Sequence, residues 1–146
     1  MDFQIVDARP EHIPQIEAIE KICFSLPWTR QMLESQLDGG SHLFLAAVSG
    51  ERVLGYVGLM FVLDEGYISN VAVAPAHRRQ GVAHGLLTAL EERSRAKGLA
   101  FLTLEVRAGN APAIALYEKH GYRPVGRRKN YYDRPREDAV LMTLEF

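Results

Sequence analysis

Between Gly66 and Gly85 the chain reads GYISNVAVAPAHRRQGVAHG, a stretch that admits few folds. Its first part is an apolar run carrying the β-branched residues Ile68, Val71 and Val73. Pro75 breaks that run, and beyond a basic, glycine-containing turn Val82, Leu86 and Leu90 recur at helical spacing. Strand, loop and helix follow in that order. The first backbone N–H groups of a helix have no partner within it and carry partial positive charge. Arg78, Arg79, Gln80 and Gly81 therefore predict a cradle for an anion, with phosphate the natural guest. Gly81 lets the backbone come close to it, and Arg78 and Arg79 add charge that a helix terminus alone does not supply.

Size and charge bound the rest. A chain of 146 residues with 47% hydrophobic content predicts one domain over residues 1–146 with a core of its own. Lys plus Arg (17) nearly balances Asp plus Glu (18), so no global field draws the protein to nucleic acid or to an acidic membrane. The one cysteine, Cys23, has no internal disulfide partner, and no apolar run approaches the length of a membrane span or a signal-peptide core. A reducing cytoplasm is the expectation, with Cys23 a small core residue. His12, His42, His77, His84 and His120 lack metal-ligand spacing, and no metal is expected.

In chain order, Phe3 to Val6 reads as a strand. Pro10 stands at a helix start, and Ile13, Ile16, Ile19 and Ile22 give that helix an apolar face to about Phe24. Thr29 is the expected N-cap of a second short helix bearing Met32, Leu33 and Leu37 and ended by Gly39-Gly40. Between them Leu26, Pro27 and Trp28 form an apolar elbow, a hinge or core feature by composition. Leu43–Val48 and Val53–Leu63 read as strands joined by a hairpin at Ser49-Gly50-Glu51. Asp64-Glu65-Gly66 turns the chain into the opening stretch, and its acids are ordinary turn residues before they are a cation site.

The phosphate-loop helix stops at Lys97-Gly98, and Leu99–Val106 follows as a strand apolar nearly throughout, reached by a helical crossover and hence parallel to the strand ending near Val73. Glu105 does not belong in such a run. Alternation places it with Phe101 and Thr103 near the strand's C-terminal end, where open α/β sheets hold ligands. A carboxylate there either pairs with a cation, Arg107 being at hand, or acts as a general base. Asn110 is a good N-cap with Pro112 in the first turn of a helix carrying Ile114, Leu116 and Tyr117 and ending at Gly121; by composition Tyr117 is a core aromatic. The segment from Tyr122 to Phe146 predicts the last two strands. Arg123, Arg127, Arg128, Lys129, Arg134 and Arg136 make it the most basic part of the chain, but Asp133, Glu137 and Asp138 dilute it, and no nucleic acid is expected there.

The string Arg78-x-x-Gly81-x-Ala83 after Val71-Ala72-Val73-x-Pro75 resembles the acyl-CoA pyrophosphate loop of the GCN5-related N-acetyltransferases, Q/R-x-x-G-x-G/A. The run from Leu104 to Tyr122, with Arg128-Lys129-Asn130-Tyr131-Tyr132, Glu137-Asp138-Ala139, Pro27-Trp28 and Asn70-Val71-Ala72-Val73, resembles the ribosomal-protein-alanine N-acetyltransferase (RimI) type of that superfamily. The resemblance implies a mixed α/β fold: a mostly antiparallel sheet splayed at a parallel strand pair, helices on both faces and acetyl-CoA at the splay. It implies Glu105 as proton acceptor, Tyr117 as proton donor and Asn110 as a cofactor contact. Val71, Ala72 and Val73 match the strand that holds the acetyl and pantetheine arm, and Arg79, Gln80, Gly81, Val82, Ala83 and His84 match the pyrophosphate loop, with Ala83 and His84 departing from the commoner glycine and basic pair.

The implied reaction is acetyl transfer to a protein N-terminal α-amine, the alanine of a small-subunit ribosomal protein. The apolar elbow at Leu26, Pro27 and Trp28 would then overhang the acceptor. A lysine or small-amine acceptor uses the same cofactor machinery, and a silent acyl-CoA-binding module would need neither Glu105 nor Tyr117.

Overall fold

The computed structural model describes residues 2–146. Strands β1 (Gln4–Asp7), β2 (His42–Ser49), β3 (Arg52–Val62), β4 (Glu65–Val73), β5 (Phe101–Arg107), β6 (Arg123–Tyr132) and β7 (Glu137–Glu145) form one sheet in the order β1-β2-β3-β4-β5-β7-β6. All neighbours are antiparallel except β4 and β5, the parallel pair joined by a helical crossover. The helices are α1 (Ile13–Cys23), α2 (Arg30–Ser35), α3 (Val82–Ala96) and α4 (Ala111–Lys119).

Local chemistry sets most boundaries. The β2–β3 hairpin turns at Gly50, which takes φ +60°, and the Thr29 hydroxyl caps α2 by accepting from the Met32 N–H at 3.2 Å. The α2 helix ends at Ser35, short of the expected Gly39-Gly40, and Met32 points outward. Ile22 also departs from expectation. Ile13, Ile16 and Ile19 are buried, but α1 closes at Cys23 and Ile22 is 67% exposed, while Glu20 takes a fully buried place on the same helix.

Two cores cover the two faces. Leu86, Leu87 and Leu90 of α3 pack with Leu102, Leu104 and Val106 of β5 and Tyr117 of α4. On the other face Ile13, Ile16, Ile19 and Leu33 pack with Phe44, Tyr56 and Ala72.

The feature that makes a site is the partial divorce of β4 from β5. Their parallel register covers only Glu65–Tyr67 against Phe101–Thr103. Beyond it, β4 bonds only to β3 and β5 only to β7, so the C-terminal halves of the two strands open apart. The β3–β4 register shifts where Gly58 meets Asn70 and Leu59 meets Ile68, leaving Ser69 as a bulge residue. One extra residue reverses the alternation. Tyr67, Asn70 and Ala72 thus reach the α1 side, while Ile68, Val71 and Val73 pack on the α3 side.

The close approach of β3 to the end of β4 requires glycine at position 55. A Cβ there would stand 2.7 Å from the Ala72 carbonyl oxygen and 3.2 Å from the Val73 Cα, both backbone atoms. Gly55→Ala is expected to lower stability by about 2 kcal/mol in chemical denaturation, and to weaken CoA binding because the displaced backbone is that of Ala72 and Val73.

Candidate active site

Glu105 sits at the opening between β4 and β5. Its face of β5 is the α1 side, since Leu102, Leu104 and Val106 take the α3 side. The carboxylate is largely buried, with 9% of its side-chain surface exposed. Tyr67 donates a hydrogen bond to its Oε1 at 3.0 Å, the Arg128 Nε lies 3.8 Å from the same oxygen, and Oε2 accepts no hydrogen bond from the described residues. Arg107, the cation that sequence spacing offered as a partner, is engaged elsewhere: it donates to the Pro135 carbonyl at 2.8 Å and pairs with Glu137 at 3.3 Å. Glu105 thus pairs loosely with Arg128 through Oε1 and keeps Oε2 free in a mostly dry setting, an arrangement that suits proton removal.

Three tyrosines surround that carboxylate. The Glu105 carboxylate, ahead of burial, holds the Tyr131 phenol above the ordinary range. Tyr67 is raised first by burial and then by Glu105. Tyr132 is pushed up to about 12, by burial first, then by Glu105 and Tyr131. All three phenols therefore stay protonated near neutrality and serve as hydrogen-bond donors.

Tyr117 lies on the other side of the sheet, in the α3–α4 core, 5% exposed and packed edge-on to Tyr122 with ring centroids 5.7 Å apart. Burial raises its phenol strongly, and the neighbouring Tyr132 adds to the effect. A phenol so raised is protonated at working pH and is a weaker acid than a thiol, so it keeps a hydrogen available for donation but yields it only where the site stabilises the phenolate.

The strand, turn and helix expected around Gly81 are present. Gly81 is the residue before α3, with φ +79°, and a Cβ there would meet nothing within 4 Å, so the strain of a side chain would come from the backbone angle alone. Arg79 also takes positive φ (62°), which reorients successive N–H groups through the turn, and the segment from Arg78 to Gly81 is exposed. Gln80 lies in this exposed turn, and Val82, Ala83 and His84 make the first turn of α3. The Arg78 Nε donates to the Val73 carbonyl at 3.4 Å, tying the loop to the end of β4. These exposed N–H groups and arginines fit a diphosphate, and the adjoining opening beside Val71, Ala72 and Val73 fits a pantetheine arm laid along a strand edge. Asn110 caps α4, accepting from the Ala113 N–H at 3.3 Å.

Two loops flank the Glu105 side. Ser25, in the α1–α2 loop, donates to the Arg134 carbonyl at 2.9 Å, joining that loop to the β6–β7 connection. Trp28 packs on the α1 core, Leu26 is exposed, and the Trp28 N–H donates to buried Glu20 at 2.8 Å. Arg107 holds the β6–β7 loop, stacking over Tyr132 at 4.4 Å and donating to the Asp133 carbonyl at 3.2 Å. Of the basic residues of this segment, Arg127 pairs with Asp138 at 3.6 Å and Arg128 with Glu105 at 3.8 Å.

Sequence spacing did not identify Tyr67 as a site residue. The available signal was the parallel register that sets Tyr67 against Thr103, two residues before Glu105 on one face. Cys23 was remote in sequence from both motifs, yet its Sγ lies 3.7 Å from the Val73 carbonyl oxygen and 3.6 Å from the Arg78 Nη2. Among the described residues no cluster of three metal-ligating side chains occurs, and no helix is long and apolar enough to cross a membrane.

The sequence profile of the Acetyltransferase (GNAT) family matches residues 13–122. The [ribosomal protein bS18]-alanine N-acetyltransferase of Escherichia coli is 37% identical over 134 residues, covering 90% of this chain and 90% of that protein. The crystal structure of the ribosomal-protein-S18-alanine N-acetyltransferase from Escherichia coli superposes with a TM-score of 0.92 at 34% identity, over 99% of this chain and 94% of that one. An Arabidopsis thaliana NAA60 structure in complex with acetyl-CoA has a TM-score of 0.90 over 99% of this chain and all of that one; its 22% identity speaks to the fold alone.

Proposed function

The chain belongs to the acetyltransferase (GNAT) family, and from that premise we propose that its single domain, residues 1–146, acetylates the N-terminal alanine of a small-subunit ribosomal protein in the cytoplasm. As a member of the family it is an acetyl-CoA-dependent N-acetyltransferase. The α-amine acceptor is supported by the 37% identical relative, whose name specifies alanine of bS18. The observation that carries the mechanism is the buried Glu105 carboxylate, whose Oε2 is free at the mouth of the β4–β5 opening.

A protonated amine has no lone pair to attack with. Glu105, directly or through a water, removes the proton, and the nitrogen attacks the thioester carbonyl carbon. The new N–C bond places negative charge on the acetyl oxygen. Past Tyr67, alternate backbone groups of β4 face the opening instead of a neighbouring strand, and an N–H near Val73 stabilises that charge. Collapse breaks the C–S bond, and the thiolate takes its proton from Tyr117, which burial keeps protonated until then. Val71, Ala72 and Val73 guide the pantetheine arm, Arg78 to His84 hold the diphosphate, and Asn110 fixes the α4 terminus beside it.

The transfer is direct, with no acyl-enzyme on Cys23, whose thiol already donates to the Val73 carbonyl. Cys23→Ala is expected to retain kcat within about twofold, and rapid-quench kinetics to show no acetylated enzyme.

The acceptor is tested by thiol release from acetyl-CoA with three substrates: a peptide beginning with alanine, the same peptide with its N-terminus blocked and an internal lysine, and a polyamine. Use of the free α-amine alone supports the reading. Use of lysine or polyamine retains the transferase and overturns the acceptor, and CoA binding without turnover of any of them points to a silent module.

A further inference from the structure

Glu91, His120 and His84 form a hydrogen-bonded line that acetyl transfer as described does not use. His84 and Glu91 lie seven residues apart on α3, two turns that return them to nearly the same face about 10.5 Å apart along the axis. His120, at the end of α4, fills that gap with its ring. Its Nδ1 is 3.1 and 3.0 Å from the two Glu91 carboxylate oxygens, and its Nε2 is 3.0 Å from the His84 Nδ1. The His120 and Glu91 side chains are only 5% and 9% exposed, whereas His84 is exposed in the first turn of α3.

The protons follow from the partners. An ionised carboxylate only accepts, so His120 donates through Nδ1. Its Nε2 and the His84 Nδ1 share one proton, and the contact orients the two rings whichever nitrogen carries it. This leaves the Nε2 of His84 as the ring nitrogen uncommitted within the line. Helical side chains lean toward the N-terminus of their helix, so the His84 ring covers the turn that begins at Gly81.

Resting on the reading that this turn holds the diphosphate of acetyl-CoA, we propose that His120 and Glu91 are positioning residues that fix the ring and the proton of His84 for donation to that diphosphate. The line accounts for the departure of this loop from a glycine followed by a basic residue: an imidazole N–H stands at His84 and is oriented from behind. A flexible lysine or arginine would need no such support.

Calorimetric titration with CoA and steady-state kinetics with acetyl-CoA and with S-acetylpantetheine, which lacks the diphosphate, test this together. His84→Ala is expected to raise the Kd for CoA and the KM for acetyl-CoA about tenfold, a loss several-fold larger than any seen with S-acetylpantetheine. His120→Ala weakens CoA binding about threefold or more, and the double variant binds no more weakly than His84→Ala, because His120 acts only through His84. Glu91→Gln, which keeps the shape and removes the charge, weakens CoA binding in the same direction and serves where His120→Ala folds poorly.

Unchanged CoA affinity in His84→Ala overturns the inference, as does additivity in the double variant. So does an equal loss with S-acetylpantetheine, which would mark a structural role through α4. A wild-type protein that neither binds CoA nor uses acetyl-CoA would instead overturn the acetyltransferase reading itself.

Discussion

Glu105→Gln is expected to lower kcat by about 10²–10⁴-fold while leaving the affinity for CoA within about twofold, the signature of losing a proton acceptor and not a binding contact. The amide fills the same volume and still accepts from Tyr67, so the β4–β5 opening keeps its shape. Single-turnover acetyl transfer together with CoA titration measures both quantities. A kcat retained within a few-fold would remove Glu105 from the mechanism and leave the surrounding phenols without a catalytic reason. The loss should also shrink at high pH, where a growing fraction of the acceptor amine is already unprotonated.

Glu20→Ala is the most destabilising single change expected outside the catalytic residues. Glu20 is fully buried, and its carboxylate accepts from the Trp28 N–H at 2.8 Å, from the Asn70 Nδ2 at 2.9 Å and from the Tyr56 hydroxyl. It thereby ties α1, β3, β4 and the α1–α2 loop at one point. Truncation strands three donors in the core at roughly 1–3 kcal/mol each before relaxation, so a loss of about 3–5 kcal/mol follows. For a chain of this size that lowers Tm by about 10 °C, readable by calorimetry.

Acceptor KM should rise as well in the fraction that stays folded, because the freed loop is the one that meets Arg134 over the site. The sign of the pH effect is also fixed. Burial, the dominant influence, raises Glu20 above its ordinary 4.5 despite the lowering effect of the Trp28 and Asn70 hydrogen bonds. The folded state therefore binds the proton more tightly than the unfolded chain. That contribution is fully present below about 4.5 and is lost as pH rises through the folded value. The stability advantage of wild type over Glu20→Gln should accordingly decline as pH rises from 4.5, and a constant difference across that range would contradict the assignment.

What the sequence made legible is what short-range chemistry controls. The Gly81 cap, the Thr29 and Asn110 N-caps, the Gly50 hairpin and the parallel relation of β4 to β5 each depend on a few adjacent residues or on one crossover. Periodicity misplaced Ile22 because the inward position near the end of α1 went to Glu20, and that exchange is decided by Tyr56 and Asn70, which lie 36 and 50 residues away. Tyr67 was hidden for a different reason: the bulge at Ser69 reverses the alternation of β4, and nothing in the local sequence marks it. Glu105 stood out as a carboxylate in an apolar strand, but that Arg107 is not its partner depends on residues 132–137 of the β6–β7 hairpin, which hold Arg107 elsewhere. Cys23 shows the same limit, since a separation of 50 residues from Val73 becomes 3.7 Å once α1 packs across the end of β4.

The most direct test of the account is tandem mass spectrometry of unacetylated ribosomal protein bS18 after incubation with the purified protein and acetyl-CoA. The account predicts one added acetyl group on the α-amine of the N-terminal alanine, absent when the Glu105→Gln variant is used at the same concentration. Acetyl groups on lysine side chains, or an unmodified N-terminus beside efficient acetylation of another amine, would contradict it.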